Sequence, residues 1–160
     1  MTRILTCFKE YDIRGIIGKE FNEQICYDIG RAFSEVLSVK KVVVGCDARA
    51  TSGKFKDLIK KAVSDNGADV LDIGLCGTEE VYWATTEYNA SGGIMVTASH
   101  NPINYNGMKI IKSESQPLHK TRDFEAIRKL AETENFSASS ARGTVDNCSL
   151  KARAAYVDKV

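Results

Sequence analysis

Net charge is nearly absent from this 160-residue sequence: 22 Lys and Arg against 21 Asp and Glu leave a formal +1. A chain so close to neutral has no long-range field to gather nucleic acid or an anionic membrane, so any anion it binds must be held by locally placed groups. Long apolar runs are missing too. No stretch approaches the roughly 20 residues of a membrane span, and Met1 to Phe8 is too short and too polar for a secretory signal. Histidine is scarce, with only His100 and His119, and the five cysteines (Cys7, Cys26, Cys46, Cys76, Cys148) form no C-x-x-C pair, so no zinc-like spacing exists. Their odd number and scatter read as free thiols in a reducing cytoplasm. The three Asn-x-Ser triplets, at Asn89, Asn135 and Asn147, are chance matches in such a setting.

What is present is an ordinary globular composition. Hydrophobic residues at 43% and charged residues at 27% exclude disorder and coiled coil, and the length suits one domain. Ile25, Ile29, Ala32, Phe33, Val36 and Leu37 recur at helical spacing, which predicts a helix over 22–38. Val42-Val43-Val44 is a β-branched run suited to a buried strand. Thr51-Ser52 then caps a helix that Gly67 stops, Val70 to Ile73 is a second strand, 79–88 a second crossover helix, and Gly93 to Thr97 a third strand. This β-α-β-α-β order implies parallel strands with right-handed crossovers.

The segment Met108 to Ile111 must differ. Only a short polar loop separates it from Val96, and a parallel return needs a dozen or more residues, so it should run antiparallel. A further helix is expected over 118–132, a small-residue loop over Ser137 to Gly143, and a last helix from Ser149. The expected fold is therefore a layered α/β/α domain on a mixed, mostly parallel, four-stranded sheet. Residues 1–148 are assigned to this domain, and 149–160 to the start of a helix leading into a second domain not contained in the sequence.

In open α/β sheets ligands sit beyond the carboxyl ends of the parallel strands. Three segments fall there: Gly45 to Arg49, Gly74 to Glu80, and Thr97-Ala98-Ser99-His100-Asn101-Pro102. The last packs a hydroxyl, an imidazole and an amide into a turn that must reverse the chain, and the returning strand brings Lys109 towards it. Phosphoryl transfer needs a positioned oxygen and cations over the equatorial oxygens. Ser99 can supply the first, and Lys109 and Arg14 the second, while loop N–H groups cradle phosphate oxygens. As a bare tetrapeptide, Ser-His-Asn-Pro fits an ordinary polar turn equally well. A serine hydrolase is disfavoured because His100 is the sequence neighbour of Ser99 and no G-x-S-x-G elbow exists. A nucleotide site is disfavoured because Gly45 to Arg49 matches neither phosphate-loop pattern.

Thr97 to Pro102, followed by Tyr105-Asn106-Gly107-Met108-Lys109, resembles the active-serine signature of the α-D-phosphohexomutases. Tyr11-Asp12-Ile13-Arg14-Gly15 is similar to that family's N-terminal motif, and Gly45, Asp47 and Arg49 to its post-strand motif. The similarity runs from Phe8 to Asp158, and Gly77-Thr78-Glu79-Glu80-Val81-Tyr82 looks like the phosphomannomutase branch. The resemblance implies an isomerase in which phosphorylated Ser99 exchanges its phosphoryl group with a hexose 6- or 1-phosphate through a bound 1,6-bisphosphate. Mannose 6-phosphate and mannose 1-phosphate are the expected substrates, with glucose phosphates as second candidates. It further implies a magnesium ion on the Ser99 phosphate, completed by aspartates of a second domain. No Asp-x-Asp-x-Asp occurs here, so this chain alone is expected to be inactive.

The same resemblance places Arg14 at the phosphoryl site, Lys109 in acid–base or phosphate contact, and Tyr11 and Asn101 in substrate binding. His100 either contacts the phosphate or substrate or braces the turn. Read from their positions alone, Arg14 could instead pair with Asp12 at the surface, and Lys109 could be a snorkelling strand lysine. Asp47 and Arg49 are expected to form a salt-bridged turn supporting the serine loop, and His119, Trp83 and the cysteines to be structural. A non-catalytic sugar-phosphate-binding module that keeps the serine loop is the alternative function.

Overall fold

The computed structural model describes residues 3–139 and 141–159. Met1, Thr2, the Ser140 position of the expected small-residue loop, and Val160 lie outside that range.

Among the described residues, seven strands form one sheet: β1 (Ile13–Ile16), β2 (Lys41–Cys46), β3 (Asp69–Leu75), β4 (Gly92–Val96), β5 (Tyr105–Lys112), β6 (Gln116–Pro117) and β7 (Val145–Asn147). Their order is β1-β5-β4-β2-β3-β7, with β6 beside β5. Strands β4, β2, β3 and β7 are mutually parallel, and β5 is antiparallel to both β4 and β1. The antiparallel return of β5 agrees with the loop-length argument. The expected count of four strands does not hold. The additional β1, β6 and β7 carry little sequence signal: β6 and β7 are two and three residues long with every residue on the surface, and β1 alternates buried with half-buried positions. Only long or apolar strands announce themselves by composition.

Five α-helices of the described residues cover the sheet: α1 (Glu23–Val36), α2 (Ser52–Asp65), α3 (Thr78–Glu87), α4 (Glu125–Thr133) and α5 (Ser149–Lys159). Helix α1 starts because the Asn22 side chain accepts a hydrogen bond from the Ile25 amide at 2.8 Å, satisfying one orphan donor of the first turn. Its apolar face, with Ile25, Ile29, Ala32 and Phe33, is buried against the sheet. Helix α2 ends at Asp65, and the chain turns away two residues later at Gly67, whose φ of +92° suits a residue without a Cβ. Its start differs from expectation, because the Thr51 hydroxyl does not cap the helix but accepts from the Asn106 side chain at 2.8 Å. The expected 118–132 helix is interrupted as well. Residues Lys120–Phe124 form a wide π-type turn, in which both the Asp123 and Phe124 amides reach the His119 carbonyl, and α4 begins only at Glu125. His119 accepts from the Arg122 amide through Nδ1, a structural role.

The sheet divides the core in two. Phe21, Phe33, Phe55, Ile94, Met108 and Ile127 fill the side shared by α1, α2 and α4. Val43, Ile73, Val81, Met95 and Ala152 fill the side of α3 and α5, where Trp83 meets Tyr88 and Tyr156 edge to face. Helix α5 is therefore seated on the sheet through Ala152 and against α3 through Tyr156. Among the described residues, no helix is long and apolar enough to cross a membrane.

Candidate active site

Strand β4 ends at Val96, and the chain turns back into β5 at Tyr105. Between them Ser99 takes φ +54°, a left-handed conformation that costs a non-glycine residue about 1–3 kcal/mol and persists only where the surroundings impose it. The surroundings here are explicit. The Ser99 amide donates to the Thr97 hydroxyl at 2.9 Å, and Thr97 in turn donates to Asp47 Oδ2 at 2.7 Å. Asp47 also accepts from the Ser52 hydroxyl and from the Arg49 amide, so one carboxylate ties the end of β2, the start of α2 and the serine turn together.

Arg49 completes the brace. It donates to the carbonyls of Ser99 (2.9 Å), Asn101 (2.6 Å), Pro102 (2.7 Å) and Tyr105 (3.2 Å), while its Nε lies 3.6 Å from Asp47. The expected salt-bridged turn after β2 is present, and it holds the serine loop by its backbone. The Ser99 side chain is left exposed, and its hydroxyl makes no hydrogen bond among the described residues.

The cations arrive on the other side of the turn from Arg49, from β1 and β5. Arg14 sits across from Gly107 and Ile13 across from Met108, so Asp12 and Arg14 fall on one face as the two-residue period requires. Arg14 does pair with Asp12, at 3.1 Å, but it also donates to the Asn101 side chain at 3.0 Å. Lys109 Nζ lies 3.4 Å from the other oxygen of Asp12. One carboxylate thus joins Arg14 and Lys109, and Arg14 links them to the serine turn. Nη2 of Arg14 has no partner among the described residues, so the guanidinium keeps donors for an anion.

The lack of a side chain at Gly107 permits this approach. A Cβ there would stand 1.9 Å from the Ile13 carbonyl oxygen, which no side chain could tolerate. Asn106, fully buried beside it, donates to Thr51 and Ser52 and accepts from the Gly107 amide at 2.9 Å, anchoring the base of the loop to α2. Sequence reasoning singled out neither Asp12 as a bridge nor Asn106 and Thr97 as loop anchors. Their only signal is a polar residue inside an otherwise apolar strand or at its end.

Two hollows flank this arrangement. One, of about 660 Å³, lies beside Ser99, Asn101, Asp47 and Arg49. The other, of about 280 Å³, has Asp12, Lys109, Tyr11 and Tyr82 in its wall and Ile110, Leu118 and Phe124 as apolar surface. Tyr11 is exposed at this mouth, with Lys120 Nζ 5.8 Å from its ring centre. His100 is exposed and has no hydrogen-bond partner among the described residues, so it does not brace the turn in that way.

No group of three His, Cys, Asp or Glu able to hold a metal exists among the described residues. The nearest carboxylates, Asp12 and Asp47, are already engaged by Arg14 and Lys109, and by Thr97, Ser52 and Arg49. The side chains of this chain therefore do not by themselves fit a magnesium ion. The cysteines are all free. Burial pushes the thiols of Cys7 and Cys76 up to about 12 and raises that of Cys26 as well, leaving none of these three a ready nucleophile.

Comparison with known proteins shows the family. The family described as phosphoglucomutase/phosphomannomutase, α/β/α domain I, matches residues 5–138. A phosphomannomutase of Escherichia coli is 49% identical over 156 residues, covering 96% of this chain and 34% of that protein. One of Klebsiella pneumoniae is 48% identical and covers 96% of this chain and 98% of its own length. Among solved structures, a phosphoglucomutase/phosphomannomutase family protein of Burkholderia thailandensis superposes with a TM-score of 0.79 at 29% identity, covering 92% of this chain and 33% of that one. The chain thus spans about a third of the Escherichia coli and Burkholderia relatives.

Proposed function

Because the chain belongs to the phosphoglucomutase/phosphomannomutase family as its α/β/α domain I, we propose that it contributes the phosphoryl-carrying serine, Ser99, of a mutase that interconverts hexose 6-phosphate and hexose 1-phosphate. The observation that carries this reading is the pairing of an unpartnered, exposed Ser99 hydroxyl on a braced left-handed turn with a cationic edge only one side chain away, through Asn101 and Arg14. A nucleophile held out from the backbone and faced by spare guanidinium donors is what in-line phosphoryl transfer asks of a protein.

In this reading a hydroxyl of the sugar phosphate attacks phosphorus on Ser99. The P–Oγ bond breaks, the hydroxyl proton is taken up by a base, and Ser99 leaves as an alkoxide that regains a proton. The second half-reaction runs the same exchange backwards with the other phosphate of the bisphosphate. Arg14 neutralises the moving phosphoryl group through its outer amino group. Lys109, oriented by Asp12, serves in proton transfer or charge neutralisation, and Asn101 and Tyr11 contact the substrate. His100, exposed beside Ser99, is assigned to the phosphate or the sugar.

Mannose phosphates are the proposed substrates, by the names of the relatives, and the cytoplasm is the proposed location. Magnesium is assigned to the Ser99 phosphate, with its other ligands outside these 160 residues, and no step above depends on it. The boundary at 148/149 and the inactivity of the isolated chain are part of the same proposal.

The test is a chimera in which this chain replaces the matching third of the Escherichia coli phosphomannomutase. The chimera should convert mannose 1-phosphate to mannose 6-phosphate, and Ser99→Ala should abolish that conversion. An active Ser99→Ala chimera would remove Ser99 from the chemistry.

A further inference from the structure

We infer that Arg49 is a positioning residue rather than a phosphate ligand: it sets the left-handed turn that presents Ser99 and keeps the turn's carbonyl dipoles away from the phosphoryl group. The inference deepens the phosphoserine reading and rests on it for its kinetic part only. A guanidinium has five N–H donors. Both amino groups of Arg49 are fully used, Nη1 on the carbonyls of Pro102 and Tyr105 and Nη2 on those of Ser99 and Asn101, and Nε faces Asp47. No amino-group donor remains for a phosphate, and Nε is turned to Asp47 at 3.6 Å, although the residue stands beside the serine and shares a hollow with it.

Arg14 is the opposite case. It touches the same turn through Asn101 but retains an unpartnered amino group. Two arginines next to one serine therefore do different work, and only the hydrogen-bond inventory separates them.

The four accepting carbonyls explain what the brace accomplishes. Carbonyl oxygens carry partial negative charge, and those of residues 99–105 crowd the turn. Left free, some would face a phosphate on Ser99 and repel it. Gathered on one half-buried cation, they are turned onto Arg49, and the Ser99 hydroxyl is left for the other side. A lysine at 49 would supply a single ammonium with three donors and no planar fork, so it could not hold four carbonyls in this arrangement.

Amide hydrogen exchange on this chain tests the brace directly, with Arg49→Lys as the first variant. The amides of Ser99, Asn101 and Tyr105, bonded to Thr97, Ala98 and Pro102, should exchange at least about tenfold faster. Those of Val43 and Ile94, in the core, should be unchanged. Wild-type protection of the turn in Arg49→Lys would overturn the inference.

Should Arg49→Lys fail to fold, Arg49→Ala measured with and without tens of millimolar guanidinium, below denaturing strength, decides the point. Restored turn protection supports the brace, and no restoration contradicts it. In the chimera, Arg49→Lys should lower kcat about tenfold or more with KM for the sugar phosphate unchanged, because misplacing a nucleophile costs rate rather than binding. A raised KM at constant kcat would make Arg49 a phosphate ligand and overturn the assignment. An inactive wild-type chimera would count against the phosphoserine reading while the exchange result still judges the brace.

Discussion

Replacing Gly107 with alanine isolates the packing on which the proposed site depends. The added methyl would lie 1.9 Å from the Ile13 carbonyl oxygen and 2.8 Å from the Arg14 Cα, whereas ordinary contact begins at 3.4 Å. The obstacle is backbone, not the end of a flexible side chain, so β1 must retreat by about 1.5 Å from β5. Four residue pairs hold β1 to β5, and Ile13 is fully buried by that pairing. Overpacking of this sort typically costs about 1–3 kcal/mol, and each weakened backbone hydrogen bond adds about 1 kcal/mol. Together they predict a loss of roughly 2–4 kcal/mol, read as a lower urea midpoint by circular dichroism.

The same displacement moves Arg14 off Asn101, and a shift of about 1 Å at a reacting site can cost about a hundredfold in rate. Chimera turnover should therefore fall well beyond what the stability loss explains at low temperature. Gly53→Ala is the control: a Cβ there meets nothing within 4 Å, on the first turn of α2, and should stabilise by about 0.4–1 kcal/mol. A Gly107→Ala protein with a wild-type midpoint would refute the steric reasoning.

Other outcomes follow from the same structure. Ser99→Gly should raise stability by up to about 1 kcal/mol, because glycine accepts the left-handed φ without strain, while chimera turnover disappears; a less stable variant on urea titration would deny that strain. Asp72 is opposed by burial, but hydrogen bonds from Lys60, Lys56 and the Gly74 amide outweigh it and hold the carboxyl below its ordinary value. Its stabilising contribution is therefore present above about pH 4 and lost as pH falls through the folded value, so the urea midpoint should drop less steeply on acidification in Asp72→Asn than in the wild type. Ile94→Ala, in the core on the α1 side, should cost about 2–5 kcal/mol in the same titration. Lys109→Met should depress chimera turnover about a hundredfold without loss of fold; a loss below about threefold would return Lys109 to the surface.

The elements legible in the sequence were those whose burial repeats along the chain. Val42–Val44 and the 25/29/32/33 face announced β2 and α1 because one period governs each. β7 did not, since its three residues are all exposed and pair only because Thr144 and Asp69 bring them alongside β3. The π-type turn at Lys120–Phe124 was invisible for a related reason: Phe124, Ile127 and Leu130 keep a helical rhythm whether or not the first turn is widened, and what widens it is the Asp123 carboxylate accepting the His119 amide.

At the site, Ser99 and Arg14 stood out because hydroxyl and cation are the currency of phosphoryl chemistry. Arg49 was expected to support the serine loop, but its grip on four carbonyls and the bridging place of Asp12 join residues more than fifty positions apart in places, which no local pattern reports.

Peptide mass spectrometry of the chimera, isolated natively and after incubation with mannose 1,6-bisphosphate, tests the central claim most directly. One phosphoryl group should be found, on Ser99, and it should be lost to added mannose 1-phosphate as mannose bisphosphate appears. A turning-over chimera with phosphate on any other residue, or on none, would contradict the account.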